Sequence, residues 1–179
     1  MKKQPEVTEQ TRKNILAAFC RLYETRPIER INVKDVIAAA GYNRSTFYAY
    51  FSDVYALLAY LEDDVINYIK ARAGAAPHTP EALLRLLNDK EMYLKVLLGT
   101  FGYVHFQERL QEEFIRKQAA ADSGDSLSPY LSEFHMTVSL SMYRLWLKRN
   151  KDIPMEELTA LIHILYTKGA DGIPKMKSL

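Results

Sequence analysis

The stretch Asn32–Phe51, NVKDVIAAAGYNRSTFYAYF, sets two short helical patterns on either side of one glycine, and this constrains the fold more than any other feature of the chain. At a helical turn of about 100° per residue, Val33, Val36, Ile37 and Ala40 fall on one face of the first pattern. Asn32 is a good N-cap, and Asp35 three residues on suits the positive start of a helix. Gly41 supplies the backbone freedom that a sharp inter-helix turn needs. In the second pattern Phe47 and Phe51 point inward together, while Ser45, Thr46 and Ala49 lie opposite. Arg44 and Tyr48 form one flank, and Asn43 and Tyr50 form the other. A helix that only packs does not usually offer a slim polar edge between two rows of phosphate-binding groups. A recognition helix in the major groove of double-stranded DNA needs that arrangement.

The charge distribution agrees. The net charge of the 179 residues is only +2, so the whole chain is no general polyanion binder. Residues 1–51 hold nine Lys/Arg against five Asp/Glu, whereas residues 52–179 hold fifteen against seventeen. The basic excess therefore travels with the helix-turn-helix, as phosphate attraction requires, although an asymmetry of this size is common by itself.

Other classes fare poorly. Cys20 is the single cysteine, which excludes an internal disulfide framework and a zinc finger. His78, His105, His135 and His163 have no metal-ligand spacing, and the chain carries no nucleophile elbow and no phosphate-binding glycine loop. No metal, no cofactor and no enzymatic activity are expected. The start, MKKQPEVTEQTRKN, lacks the apolar run of a signal peptide, and Phe134–Tyr143 is too short to span a bilayer. The expectation is a cytoplasmic protein with no membrane partner.

The periodicity is helical throughout, and the expected class is all-α with about nine helices. Helix one runs from about Thr8 to Thr25 and ends before Arg26-Pro27. Asp53 caps a long helix to about Ala71, with Val54, Leu57, Leu58, Leu61, Val65, Tyr68 and Ile69 on its stripe. The segment Ala73–Pro80 breaks the pattern. Helices follow at about Pro80–Leu87, Asp89–Leu98 and Tyr103–Ala121, then a loop at Asp122–Pro129. Two more, about Pro129–Asn150 and Pro154–Lys168, close the chain, with Gly169 as the stop. The functional division places a helix-turn-helix domain at 1–52 and a helical regulatory and dimerisation domain at 53–179.

The order of helix one, NVKDVIAAAG, NRSTFYAYF and a long helix resembles the N-terminal domain of TetR-family transcriptional regulators. Ile37, Ala38 and Gly41 match the family's first pattern, and Thr46, Phe47, Tyr48 and Phe51 its recognition helix. The likeness covers about residues 8–68; Trp146–Leu165 also looks like the family's final two helices, while residues 72–128 carry no signature. The resemblance implies a homodimer on a palindromic operator, usually a repressor, released when a small effector binds the C-terminal domain. It implies that Thr46, Tyr48 and Tyr50 contact phosphates, and that Asn32, Val33 and Lys34 do so through backbone donors. Arg44, Ser45 and Ala49 would face base edges, and Tyr42 and Asn43 complete the DNA-binding set. Two positions depart from the family: Tyr50 replaces a histidine, and Val54 replaces a lysine that ordinarily adds a phosphate contact. The second departure leaves open a co-regulator that binds DNA weakly and acts through a protein partner.

In the closing helices one stripe holds Leu131, Phe134, Val138, Met142 and Leu145, with Leu140, Tyr143, Trp146 and Leu147 outside it. The last helix repeats this, with Met155, Leu158, Ile162 and Leu165 on one face and Leu161, Ile164 and Tyr166 beyond. A helix apolar beyond one stripe is buried on more than one side. The family parallel makes the second side a subunit interface through Val138, Met142, Leu145, Trp146, Leu158, Ile162 and Leu165. A pocket for a mostly apolar effector draws on Tyr93, Phe101, Tyr103, His105, Met136 and Tyr143, with Met92 and Phe106 nearby in sequence. The same residues equally suit a packed helical core.

Overall fold

Helix α1 (Pro5–Tyr23) opens the fold, in a computed structural model that describes residues 5–73, 80–121 and 128–168. Every regular element among the described residues is helical: α2 (Val33–Ala40), α3 (Arg44–Tyr48), α4 (Val54–Ala73), α5 (Pro80–Leu97), α6 (Tyr103–Ala121), α7 (Ser128–Lys148) and α8 (Met155–Lys168). The chain divides into two compact units, Met1–Ala75 with Leu86–Phe106, and Ala76–Arg85 with Gln107–Leu179. Residues 74–79 and 122–127, where the two interruptions were expected, and the expected stop at Gly169 lie outside the described residues.

In the first unit α1 packs against α2, and α2 against α3. Ile15, Leu16, Ala18, Phe19, Cys20 and Tyr23 are buried along α1, so its apolar face is wider than a single stripe. After Tyr23 the backbone turns, with Thr25 and Arg26 both donating to the Leu22 carbonyl. Pro27 is extended at φ −66°, ψ 157°, and a 3-10 turn at Ile28–Arg30 follows. Sequence periodicity gives no sign of that turn, because three residues are too short to express one. On α4, Val54, Leu57, Leu58, Leu61, Val65 and Ile66 are buried as the stripe predicts. Tyr68 and Ile69 are only half-buried.

Two short helices are expected between Pro80 and Leu98, and α5 is two helical stretches joined across a kink. The break falls at Lys90, whose φ −121° and ψ 17° leave the helical region inside α5. Lys90 pairs with Asp64, and its ammonium lies 5.3 Å from the Tyr68 ring centre and 5.6 Å from that of Tyr93. Beyond α5, a Cβ on Gly102 would lie 2.5 Å from the Val96 carbonyl oxygen, so this turn admits no side chain there. The Tyr23 hydroxyl ties the turn to α1 by donating to the Phe101 carbonyl at 3.1 Å.

In the second unit, α7 and α8 pack together across a tight connection. Asn150 and Lys151 take positive φ of 55° and 57°, and the Trp146 indole donates to the Ile153 carbonyl at 2.8 Å. Tyr143, Trp146, Met155, Leu158, Thr159 and Ile162 are buried. Thr159 returns its hydroxyl proton to the Met155 carbonyl, so its burial leaves no unsatisfied group.

Candidate nucleic-acid interface

The helix-turn-helix is held by side-chain caps at both helix starts. Asn32 caps α2 reciprocally with Asp35: the Asp35 N–H donates to Asn32 Oδ1 at 3.1 Å, and the Asn32 N–H to Asp35 Oδ2 at 3.4 Å. Arg26 braces the same carboxylate at 3.3 Å. Gly41 ends α2 in the left-handed region, φ 73° and ψ 30°, where a Cβ would be strained. Its N–H and that of Tyr42 both return to the Ile37 carbonyl.

Two residues later Asn43 starts α3. Its Oδ1 accepts the Thr46 N–H at 2.8 Å, the Ser45 hydroxyl at 2.7 Å and the Thr46 hydroxyl at 2.9 Å. Helix α3 ends at Tyr48 with Ala49 as its cap, and the Tyr50 and Phe51 N–H groups, both donating to the Phe47 carbonyl, carry the turn on to Phe51. Phe47 is fully buried and Phe51 nearly so, their centroids 5.8 Å apart. The inward face is therefore the one that periodicity assigns.

None of the sequence-predicted DNA-binding residues is buried. Asn32, Lys34, Asn43, Arg44, Ser45, Tyr48 and Ala49 are exposed, and Val33, Tyr42, Thr46 and Tyr50 are half-buried. The Arg44 guanidinium donates to the Tyr48 hydroxyl at 3.2 Å and sits 5.8 Å from the ring centre. That hydrogen bond moves its pKa further above the usual value of a group that is charged in any case.

Helix α1 contributes partners that sequence reading missed. Asn14 donates to the Tyr42 hydroxyl at 2.9 Å, and the Arg12 guanidinium lies 5.8 Å from the Tyr50 ring centre. Arg12 and Asn14 sit far from the motif in sequence, and no local signal links them to it. Tyr55, at the start of α4, is 56% exposed. Its neighbour Val54, where the family has lysine, is only 6% exposed and belongs to the core stripe. The position does structural work here, and the charged head that a lysine would extend is replaced by apolar packing.

The expected effector residues divide between the units. In the first, Phe101 is exposed, Tyr93 and Tyr103 are half-buried, and His105 Nδ1 meets Glu62 Oε1 at 2.7 Å. Phe106 is fully buried and Met92 exposed. In the second, Met136 is half-buried and Tyr143 is buried, its hydroxyl without a hydrogen-bond partner among the described residues. Burial pushes the Tyr143 phenol well above its usual pKa. An open cleft of about 510 Å³ in the first unit is lined by Ala17, Cys20, Arg21, Glu24, Asp89, Glu91, Met92, Lys95 and Val96. Its rim is mostly charged, with Lys95 and Glu24 paired at 2.7 Å, which is unlike an apolar effector site.

Among the expected dimerisation residues, Trp146, Leu158 and Ile162 are buried within the second unit. Val138, Met142 and Leu165 are half-buried, and Leu145 is 57% exposed. Among the described residues no group of three or more His, Cys, Asp or Glu side chains is placed to hold a metal ion. No described helix is long and apolar enough to cross a membrane.

No curated protein matches the chain. Among solved structures it is similar to the dihydroxyacetone kinase operon activator DhaS, with a TM-score of 0.51 and 21% identity over 87% of this chain and 93% of that one. That likeness bears on the fold. Residues 15–61 match the family model described as bacterial regulatory proteins, tetR family, a span that runs from the core of α1 through the capped helix-turn-helix into α4. The capped, solvent-facing α3 and this match together make the chain a DNA-binding transcriptional regulator with the N-terminal domain of the tetR family.

Proposed function

We propose that this regulator works as a cytoplasmic homodimer that represses transcription from a palindromic operator and is released by a small, mostly apolar effector. The observation that carries the DNA half of the reading is the exposed polar edge of α3, with Arg44, Ser45 and Ala49 toward base edges. Thr46 and Tyr50 flank it for phosphate, joined by the α2 start at Asn32, Val33 and Lys34. Tyr42 and Asn43 hold the turn between the two helices.

Dimerisation is supported by an inversion in α7. The stripe that periodicity selects, Phe134, Val138, Met142 and Leu145, is exposed or half-buried, whereas Tyr143 and Trp146 fill the unit's own core. Trp146, Leu158 and Ile162 therefore support the interface from beneath, and Val138, Met142, Leu145 and Leu165 face the second copy. A two-fold dimer presents two recognition helices about 34–36 Å apart, the spacing of successive major grooves.

For an effector held in the first unit His105 is the polar position, and for one held in the second unit it is Tyr143. The sign of control is proposed as repression. The similar solved structure is that of an operon activator, so the test must read both signs. Expression of the chain beside a reporter driven by DNA flanking its own gene should lower transcription, and Arg44→Ala should restore it. A rise in transcription abolished by the same substitution would replace repression with activation.

The buried Val54 favours a second reading, a weakly binding co-regulator that acts through a protein partner. Reporter output indifferent to Arg44→Ala would select it.

A further inference from the structure

We infer that Tyr48 is a positioning residue for base reading, and that the Arg44–Tyr48 pair reads a guanine in each half-site. This rests on the DNA-reading assignment above and departs from the phosphate role that the family resemblance gives Tyr48. The argument begins with the donors on α3. The hydroxyl protons of Ser45 and Thr46 are both given to Asn43 Oδ1. In the free protein those two hydroxyls are engaged by the cap and must turn to meet DNA, whereas Arg44 gives only one of its five N–H groups to Tyr48.

A guanidinium on an exposed helix samples many rotamers, and fixing it costs entropy on binding. Tyr48 lowers that cost before DNA arrives. Its ring stands edge-on to the fully buried Phe47, at 5.7 Å between centroids and 90° between planes. From that braced ring the hydroxyl oxygen accepts the Arg44 Nη2 proton at 3.2 Å, and the guanidinium centre stays 5.8 Å from the ring centre. One edge of the fork is thereby held, and the other edge is left for two parallel hydrogen bonds. Guanine O6 and N7 in the major groove present two acceptors at that spacing. A residue one turn along the helix thus sets the aim of the one that touches the base.

The test is a double-mutant cycle on the duplex that the wild-type protein enriches from a random DNA pool. Arg44→Ala, Tyr48→Phe and the double variant are compared on that duplex and on one with the half-site guanines replaced by 7-deazaguanine. Loss of N7 should weaken wild-type binding, and Arg44→Ala should cost roughly five- to 150-fold and abolish sensitivity to the replacement. Tyr48→Phe should cost roughly three- to tenfold on the guanine duplex, and nothing further in the Arg44→Ala background. An equal Tyr48→Phe loss in both backgrounds would assign the hydroxyl to phosphate and overturn the inference. So would a Tyr48→Phe protein that binds and discriminates like wild type. A pool that yields no enriched sequence overturns the DNA-reading assignment itself, a failure distinct from the other two.

Discussion

His105 Nδ1 donates to Glu62 Oε1 across 2.7 Å, and the carboxylate is fully buried while the imidazole stands more than half in solvent. The bond joins α4, which continues from the recognition helix, to the start of α6. A buried carboxylate that loses a partner is penalised more than the bond alone is worth. His105→Ala is therefore expected to lower stability by about 1–2 kcal/mol, reduced from the fully buried case by the imidazole's exposure. Glu62→Gln, which keeps an acceptor oxygen, should cost less. Urea unfolding of both variants checks the order, and a smaller loss for His105→Ala contradicts it.

Alkaline pH should destabilise the first unit. Burial pushes the Cys20 thiol up from 9.0 to about 12, and burial, aided by the charge of Glu62, pushes the Tyr23 phenol from 10.0 to about 12. The folded state holds these protons more tightly than the unfolded chain. Their contribution is thus fully present below about pH 9 and is lost as pH rises toward about 12. Melting temperatures should fall steadily across that window and fall less in Cys20→Ala. In the native protein at pH 8, Cys20 should resist a thiol reagent that modifies the unfolded chain at once.

Tyr143 tests how a buried hydroxyl is used. With no partner among the described residues it carries a desolvation cost of about 1–3 kcal/mol. Tyr143→Phe should leave stability unchanged or raise it by up to about 1 kcal/mol, while weakening the response to any effector that this hydroxyl anchors. A clear loss of thermal stability in the ligand-free variant would mean that the hydroxyl has a partner within the fold.

The two sides of α7 should behave oppositely. Leu145→Arg places a charge on an exposed apolar position and should shift the protein from dimer to monomer by light scattering, with helical content kept. Trp146→Ala removes a buried side chain and its bond to Ile153, and should cost about 3–5 kcal/mol. A dimer that survives Leu145→Arg contradicts the interface placed on that face.

Much of the first unit was legible in the sequence because its signals are local. The Asn32 and Asn43 caps, the Gly41 turn and the inward pair Phe47 and Phe51 all act within a few residues of one another. Partners that come from α1, such as Arg12 near Tyr50 and Asn14 on Tyr42, depend on tertiary packing and leave no local trace. Periodicity found both apolar faces of α7 and could not say which one packs inward, since a core and a subunit interface share a composition. Val54 is the opposite case: periodicity already places it on the core stripe of α4, and the structure buries it there.

The central claim is that α3 reads DNA, and fluorescence anisotropy across a salt series tests it most directly. Purified protein is titrated onto duplexes from beside its own gene and onto scrambled duplexes. The account predicts saturable binding that prefers the native sequence, falls steeply as salt rises and is weakened by Arg44→Ala. Equal affinity for both duplexes, unchanged by Arg44→Ala in a folded dimer, would contradict it.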